Sequence, residues 1–143
     1  MSRKSIYETN FDRLVKLSIC DEDGNLRSIG RSKSDGYMDL VFEPLMVPES
    51  VTSENCKAFS IAHYFKQNGD TCQDPEMVLI IHPSIKAVEA FSFQVAIPPR
   101  YQEVYPEPGK FVPQYKRELN SFLRQWLNNL IDQKHGLQWE GEE

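Results

Sequence analysis

The chain has 143 residues, enough for one domain with a buried core, and its 40% hydrophobic and 26% charged residues exclude a disordered polymer. A net charge of −5 and a pI near 5.3 argue against a protein that coats nucleic acid, which needs clustered cations. The three cysteines, Cys20, Cys56 and Cys72, form no CxxC pair and no zinc-ligand spacing with histidine, so the expectation is reduced thiols, no metal and no cofactor.

Residues 1–17 are polar and charged, without the apolar stretch of a signal peptide, and the longest apolar run, 77–81, is too short to span a bilayer. A cytoplasmic location with no membrane association is therefore expected. In chain order, Phe11, Leu14 and Val15 share one face of a short N-terminal helix, with Thr9 or Asn10 as its cap. Asp21-Glu22-Asp23-Gly24-Asn25 reads as a turn, and the polar stretch 27–36 as an exposed loop.

Alternation then predicts strands at 37–42 and 57–67, a short apolar run predicts one at 76–82, and alternation again one at 86–95. In the second, Phe59, Ile61, His63 and Phe65 share a face, and Gln67-Asn68-Gly69-Asp70 breaks it. The third is apolar on both faces, as a central strand is, and His82-Pro83 closes it. Short connections favour an antiparallel meander. Five of the nine prolines fall between Pro98 and Pro113, which predicts an irregular connector.

The long helix predicted over 114–134 is the clearest pattern. Tyr115, Leu119, Phe122, Leu123, Trp126, Leu127 and Leu130 form one apolar stripe, Lys134 and His135 oppose the negative end of the macrodipole, and Gly136 is suited to C′. Residues 138–143 read as an acidic tail. The fold expected is α+β: a single domain with an antiparallel sheet of four or five strands, a long C-terminal helix on one face and a short N-terminal helix.

Candidate chemistry is sparse. Asp21, Asp23 and Asn25 resemble the start of a calcium loop, but Leu26 and Ser32 stand where that loop needs Gly and Glu. Asp70, Asp74 and Glu76 bracket a turn and could hold a hard cation, or lie solvated. His63 reads as a satisfied, partly buried residue. His82 ends a central strand at the rim of the sheet, where a general base could sit, with Tyr105 as a neighbour in a possible pocket. The polar face of the last helix carries Lys116, Arg117, Asn120, Arg124 and Asn128, suited either to phosphate or protein contact or to ordinary solvation. Between Lys110 and Lys134 there are five basic and two acidic residues.

Tyr105-Pro106, Lys116, Leu119-Asn120, Phe122-Leu123 and Trp126-Leu127 resemble the C-terminal signature of the YqiB-like family of small bacterial proteins of unknown function. Asn10-Phe11, Leu14 and Leu17 resemble its opening helix, and Val78 to His82 with Ala87-Val88-Glu89 its central strand pair. Ile61 to Met77, and Arg117-Glu118-Leu119 with Phe122, Trp126 and Asn129-Leu130, are similar to an uncharacterised domain carried on phages and plasmids. The resemblance implies a bacterial source and a place on a mobile element. It implies no activity.

Three functions remain as expectations. The first is a non-catalytic protein-binding or adaptor module, with a host defence protein as the partner class if the mobile-element likeness holds. The second is a nucleic-acid-associated protein using the basic helix face. The third is a small enzyme centred on His82, for which a cavity holding His82 beside a carboxylate or cysteine would speak.

Overall fold

The computed structural model describes residues 4–67, 70–96, 99–137 and 139–141, without the side chains of 64–67 and 70–74. Helix α1 (Ile6–Lys16) begins at Ser5, upstream of the expected cap. The Ser5 hydroxyl accepts from the Glu8 N–H at 3.3 Å, and the Glu8 carboxylate accepts from the Ser5 N–H at 3.1 Å. This reciprocal box satisfies two orphan donors at once. Asn10, a candidate cap by sequence, is instead fully buried against the second helix.

Strands β1 (Gly30–Ser32), β2 (Leu40–Leu45), β3 (Lys57–Gln67), β4 (Asp70–His82), β5 (Ala87–Val95) and β6 (Arg100–Glu103) precede helix α2 (Pro113–Asp132), and β7 (Trp139–Gly141) follows it. They form one antiparallel sheet in the order β6-β5-β4-β3-β2-β1-β7. The α+β class and the two helices agree with the sequence reading, but the sheet has seven strands and overturns the expectation of four or five.

The physical reason lies in the three extra strands. β1, β6 and β7 have three, four and three residues, too few to display alternation. Each takes its conformation from the ladder beside it. β1 falls in the stretch expected as an exposed loop, yet Ser32 is fully buried. β6 falls in the proline-rich connector, and β7 in the expected acidic tail. Trp139 anchors that last strand: its indole N–H donates to the Leu17 carbonyl at 2.9 Å, and the Arg27 guanidinium lies 4.2 Å above its ring.

Both helices cover one face of the sheet. Leu119, Leu123, Trp126, Leu127 and Leu130 of α2 and Phe11 and Leu14 of α1 pack on Leu40, Phe42, Phe59, Ile61, Met77, Leu79, Ile81 and Val88. Tyr115 and Phe122, also in the predicted stripe, are partly buried at its margin. Each large apolar side chain fully buried here stabilises by about 1.5–3 kcal/mol. On the opposite face a smaller cluster of Ala58, Ile80 and Phe91 is covered by Val51 and Cys56 from the connector after β2. That covering explains why β4 reads as apolar on both sides.

The partnering of β5 is uneven. β6 pairs with it only from Ser92 to Val95, and a register shift opposite Val78/Leu79 marks a bulge. Past β6, the Val104 N–H donates to the Phe91 carbonyl at 2.8 Å, and the Val112 N–H donates back to the Val104 carbonyl at 2.9 Å. The proline-rich connector is thus folded against β5. Its next free donor, the Ala90 N–H, is taken by the Asn120 side-chain oxygen at 2.9 Å.

Helix α2 ends differently from the sequence expectation. Lys134, not Gly136, takes the first left-handed position, with φ 68°. Gly136 has φ 89°, and a Cβ there would lie 2.6 Å from the Leu17 carbonyl oxygen. Both backbone conformation and space exclude a side chain. Gly136→Ala should destabilise the fold by about 2 kcal/mol or more, read from the midpoint of denaturant unfolding, whereas Gly109→Ala, in open space but also at positive φ, should cost about 1 kcal/mol.

Candidate functional site

The short connection between β4 and β5 pairs His82 with Ala87, which puts Glu89 on the diagonal and on the same face as His82. The two side chains meet: His82 Nε2 lies 2.6 Å from Glu89 Oε2, and they are 15% and 18% exposed. The other carboxylate oxygen, Oε1, accepts a short hydrogen bond from the Tyr105 hydroxyl. Tyr105 is positioned by the folded connector and stacks on Phe91, with ring centroids 6.4 Å apart at 22°.

The electrostatics hold Glu89 charged. Burial alone would raise its pKa, but the hydrogen bonds from His82 and Tyr105, with the charges of His82 and Lys116, outweigh it, and the net shift is downward. Burial, the bond to Glu89 and the charge of that carboxylate push the Tyr105 phenol well up, so it stays protonated. An ionised carboxylate on Nε2 fixes that nitrogen as the one carrying hydrogen. When the ring is neutral Nδ1 keeps a lone pair, and it makes no hydrogen bond to a described residue. A carboxylate–imidazole pair of this kind can accept a proton at one nitrogen while the other is held.

The pair opens on a cavity of about 520 Å³ lined by Ser5, Tyr7, Ser53, Ile85, Ala87 and Lys116 among others. That volume lies within the range of small-molecule sites. A second cavity of about 200 Å³ shares Ser53 and Glu89 as its wall and is closed by Tyr105 and Phe111. The Lys116 ammonium sits 4.8 Å from the Phe111 ring, 5.9 Å from Tyr7 and 6.0 Å from Tyr105. Tyr7 also has its pKa raised, by burial and then by the charge of Glu89.

The sequence-derived site residues therefore separate into two places. His82, Tyr105 and Lys116 come together around Glu89. Arg117, Arg124 and Asn128 lie elsewhere, along an open groove of about 690 Å³ with Ser121 and Gln125. Asn128 Oδ1 accepts from Arg13 Nε of α1 at 2.7 Å. Asn120 belongs to neither: it is 2% exposed, its oxygen serves Ala90, and its amide nitrogen donates to the Lys116 carbonyl at 2.6 Å. Glu89 was missed by sequence reading. The signal available was a lone carboxylate inside an apolar strand, one short turn from His82.

Other candidates are used within the fold. Asp21 accepts from the backbone N–H of Asp23 and Asn25, each at 2.9 Å, and from the Asn25 side chain at 3.0 Å, so its carboxylate closes the turn. Burial, then the Asp21 charge, pushes the Cys20 thiol up to about 12, and burial raises Cys56 as well; neither is an activated nucleophile. The side chains of Cys72, Asp70 and Asp74, and residues Asn68 and Gly69, lie outside the described residues. Among the described residues no three His, Cys, Asp or Glu side chains group as for a metal.

His63 and His135 form a buried pair, 7% and 3% exposed, with ring centroids 5.9 Å apart. The Asp39 carbonyl accepts from His63 Nδ1–H at 2.9 Å. His135 Nδ1 lies within hydrogen-bond distance, 3.0 Å, of the Ser32 hydroxyl oxygen, which also accepts from the Gly136 N–H. His135 Nε2 is buried with no hydrogen-bond partner among the described residues. Burial and the adjacent His63 lower the pKa of His135 against opposing effects of the Met38 backbone and Asp39.

These shifts fix the sign of the pH dependence. A His135 held below its ordinary 6.5 leaves the unfolded chain with more bound protons just below that pH, so stability is full above 6.5 and falls as the pH drops beneath it. Glu89, held below 4.5, contributes stability present above 4.5 and lost as the pH falls through its folded value. Denaturant midpoints measured from pH 8 to 3 should therefore decline in two regions. His135→Gln should flatten the first and Glu89→Gln the second; an unchanged slope in either variant contradicts the assignment.

No helix is long and apolar enough to cross a membrane among the described residues. No curated protein and no solved structure matches the chain. Residues 10–136 match a family described as Domain of unknown function (DUF6908), a span that takes in the second half of α1, all of α2 and every residue of the His82–Glu89–Tyr105–Lys116 cluster. The chain is a member of the DUF6908 family.

Proposed function

We propose that this domain is a small-molecule-binding module whose specific site is the cavity at the open edge of β5, with His82 able to exchange a proton there. The observation that carries the reading is the His82–Glu89 contact of 2.6 Å in the wall of that cavity, with Tyr105 on the other carboxylate oxygen. A purely structural polar cluster would need no cavity beside it. Here the ring nitrogen not used by Glu89 has no described partner, and the volume suits a ligand.

A second reading is a non-catalytic protein-binding or adaptor module of a bacterial cell. What favours it is the groove along α2, where Arg117 and Arg124 face solvent beside Ser121, Gln125 and Asn128. The likeness to a mobile-element domain would direct it toward a host defence protein. With a net charge of −5, an acidic protein face suits those two arginines better than a nucleic acid does. On this reading Arg117→Glu with Arg124→Glu abolishes capture of a nuclease-resistant partner from bacterial lysate. Loss of all captured material on nuclease treatment would instead favour nucleic acid.

The primary reading is tested by screening polar small molecules against the labelled protein by amide chemical shifts. Binders should move the signals of Ala87, Val88 and Glu89. Ser53→Trp, a change at an exposed position of the cavity wall, should block them while leaving the melting temperature within a few degrees. Shifts confined to the Arg117–Asn128 groove, or no binder at all, would remove the cavity from consideration.

A further inference from the structure

We infer that the ligand of this cavity is a small organic acid whose carboxylate docks on the Lys116 ammonium; the inference rests on the cavity reading above. Glu89 has one oxygen on His82 and the other on Tyr105. Glu8 accepts from the backbone N–H and the hydroxyl of Ser5, both at 3.1 Å and both on Oε1. Three of the four carboxylate oxygens in the wall are thus already supplied with donors from the fold.

The donors are not spent. The Lys116 ammonium is half-buried, yet makes no ion pair and no side-chain hydrogen bond with any described residue. Its neighbours are the rings of Phe111, Tyr7 and Tyr105, which hold a cation without accepting a conventional hydrogen bond. Three N–H donors of a charged group are left facing a cavity that also holds the Tyr7 and Ser53 side chains. A ligand that satisfies this wall brings acceptors, and a negative charge makes those bonds shorter and stronger.

Charge decides which anion. A phosphate monoester carries about −1.5 to −2 at neutral pH. It would face one ammonium with the carboxylates of Glu8 and Glu89 in the same wall. A carboxylate carries a single charge and meets less of that repulsion on the same cation. The rest of the lining, Ile85, Ala87, Val88 and the Tyr7 ring, is apolar and suits an aliphatic or aromatic body.

The test titrates benzoate and hexanoate, their neutral amides benzamide and hexanamide, and phenyl phosphate into the wild-type protein at low salt, followed by amide and lysine side-chain shifts. The expected result is saturable movement of Lys116, Ala87 and Val88 with the acids, and binding of the amides weaker by about tenfold or more. Lys116→Gln should reproduce that loss with the acids, Lys116→Arg should restore part of it, and Arg124→Gln, in the other groove, should change nothing. Amides binding as well as acids would overturn the acid assignment and leave the cavity as a ligand site. Phenyl phosphate binding more tightly than benzoate would overturn the charge argument. Acids that shift no cavity signal, when neutral compounds from the screen do, sink the acid alone; silence from both sinks the acid and the cavity together.

Discussion

The half-covered edge of β5 is the constraint on which the rest of the structure turns. An edge strand must satisfy its outward N–H and C=O groups or lose stability, and β6 does this only from Ser92 to Val95. Further along, the Phe91 carbonyl is met by Val104 and the Ala90 N–H by the buried amide of Asn120. One side chain of α2 therefore substitutes for a missing strand. Because Asn120 also receives Asn10 at its backbone carbonyl, at 3.4 Å, the same residue ties both helices to the sheet edge. Replacing its amide would leave a buried backbone donor without a partner, which costs far more than an ordinary surface contact.

The cavity follows from that arrangement. Since no strand continues along residues 87–91, the helix layer and the connectors beneath the sheet both reach the gap. Tyr7 and Lys116 arrive from the helices, Ser53 from the connector after β2, and Tyr105 from the connector after β6. Glu89 projects where these segments meet. Its charge survives partial burial because His82 and Tyr105 each supply a hydrogen to one oxygen, and the Tyr105 bond ties the connector after β6 to β5. Stability and a chemically competent site are here one network, in which strand and helix positions carry His82, Glu89 and Lys116 and the folded connector carries Tyr105.

The opposite end of the sheet is closed by different physics. β1 and β7 are short, and what holds them is not their ladder alone but Trp139 over Leu17, the Arg27 stack and the Ser32–His135–Gly136 connection. Gly136 passes so close to Leu17 that the chain leaving α2 is pressed onto the chain leaving α1. The buried histidine pair lies at this junction, which makes it the part of the fold that loses stability first as the pH falls, before Glu89 at the cavity.

What the amino-acid sequence determined by itself was whatever repeats with the period of one element. The apolar stripe of α2 stands out because Leu119, Leu123, Trp126, Leu127 and Leu130 must all face the same sheet, the strands near 57–67 and 86–95 because each is long enough to alternate, and the strand near 76–82 because it is an apolar run buried on both faces. The turn at Asp21 was legible because its hydrogen bonds are local. Even the Ser5–Glu8 box was written in the sequence, though the apolar residues further on drew the cap to Thr9 or Asn10. Tertiary structure decided the rest. β1, β6 and β7 are too short to carry a period, and they become strands only because neighbours offer unpaired backbone groups. Asn120 looked like part of a polar helix face because sequence cannot say that Ala90 lacks a partner. The joining of His82, Glu89, Tyr105 and Lys116 depends on the register of β4 with β5 and on how two connectors fold over a strand edge. Those contacts are long-range, and no local propensity encodes them.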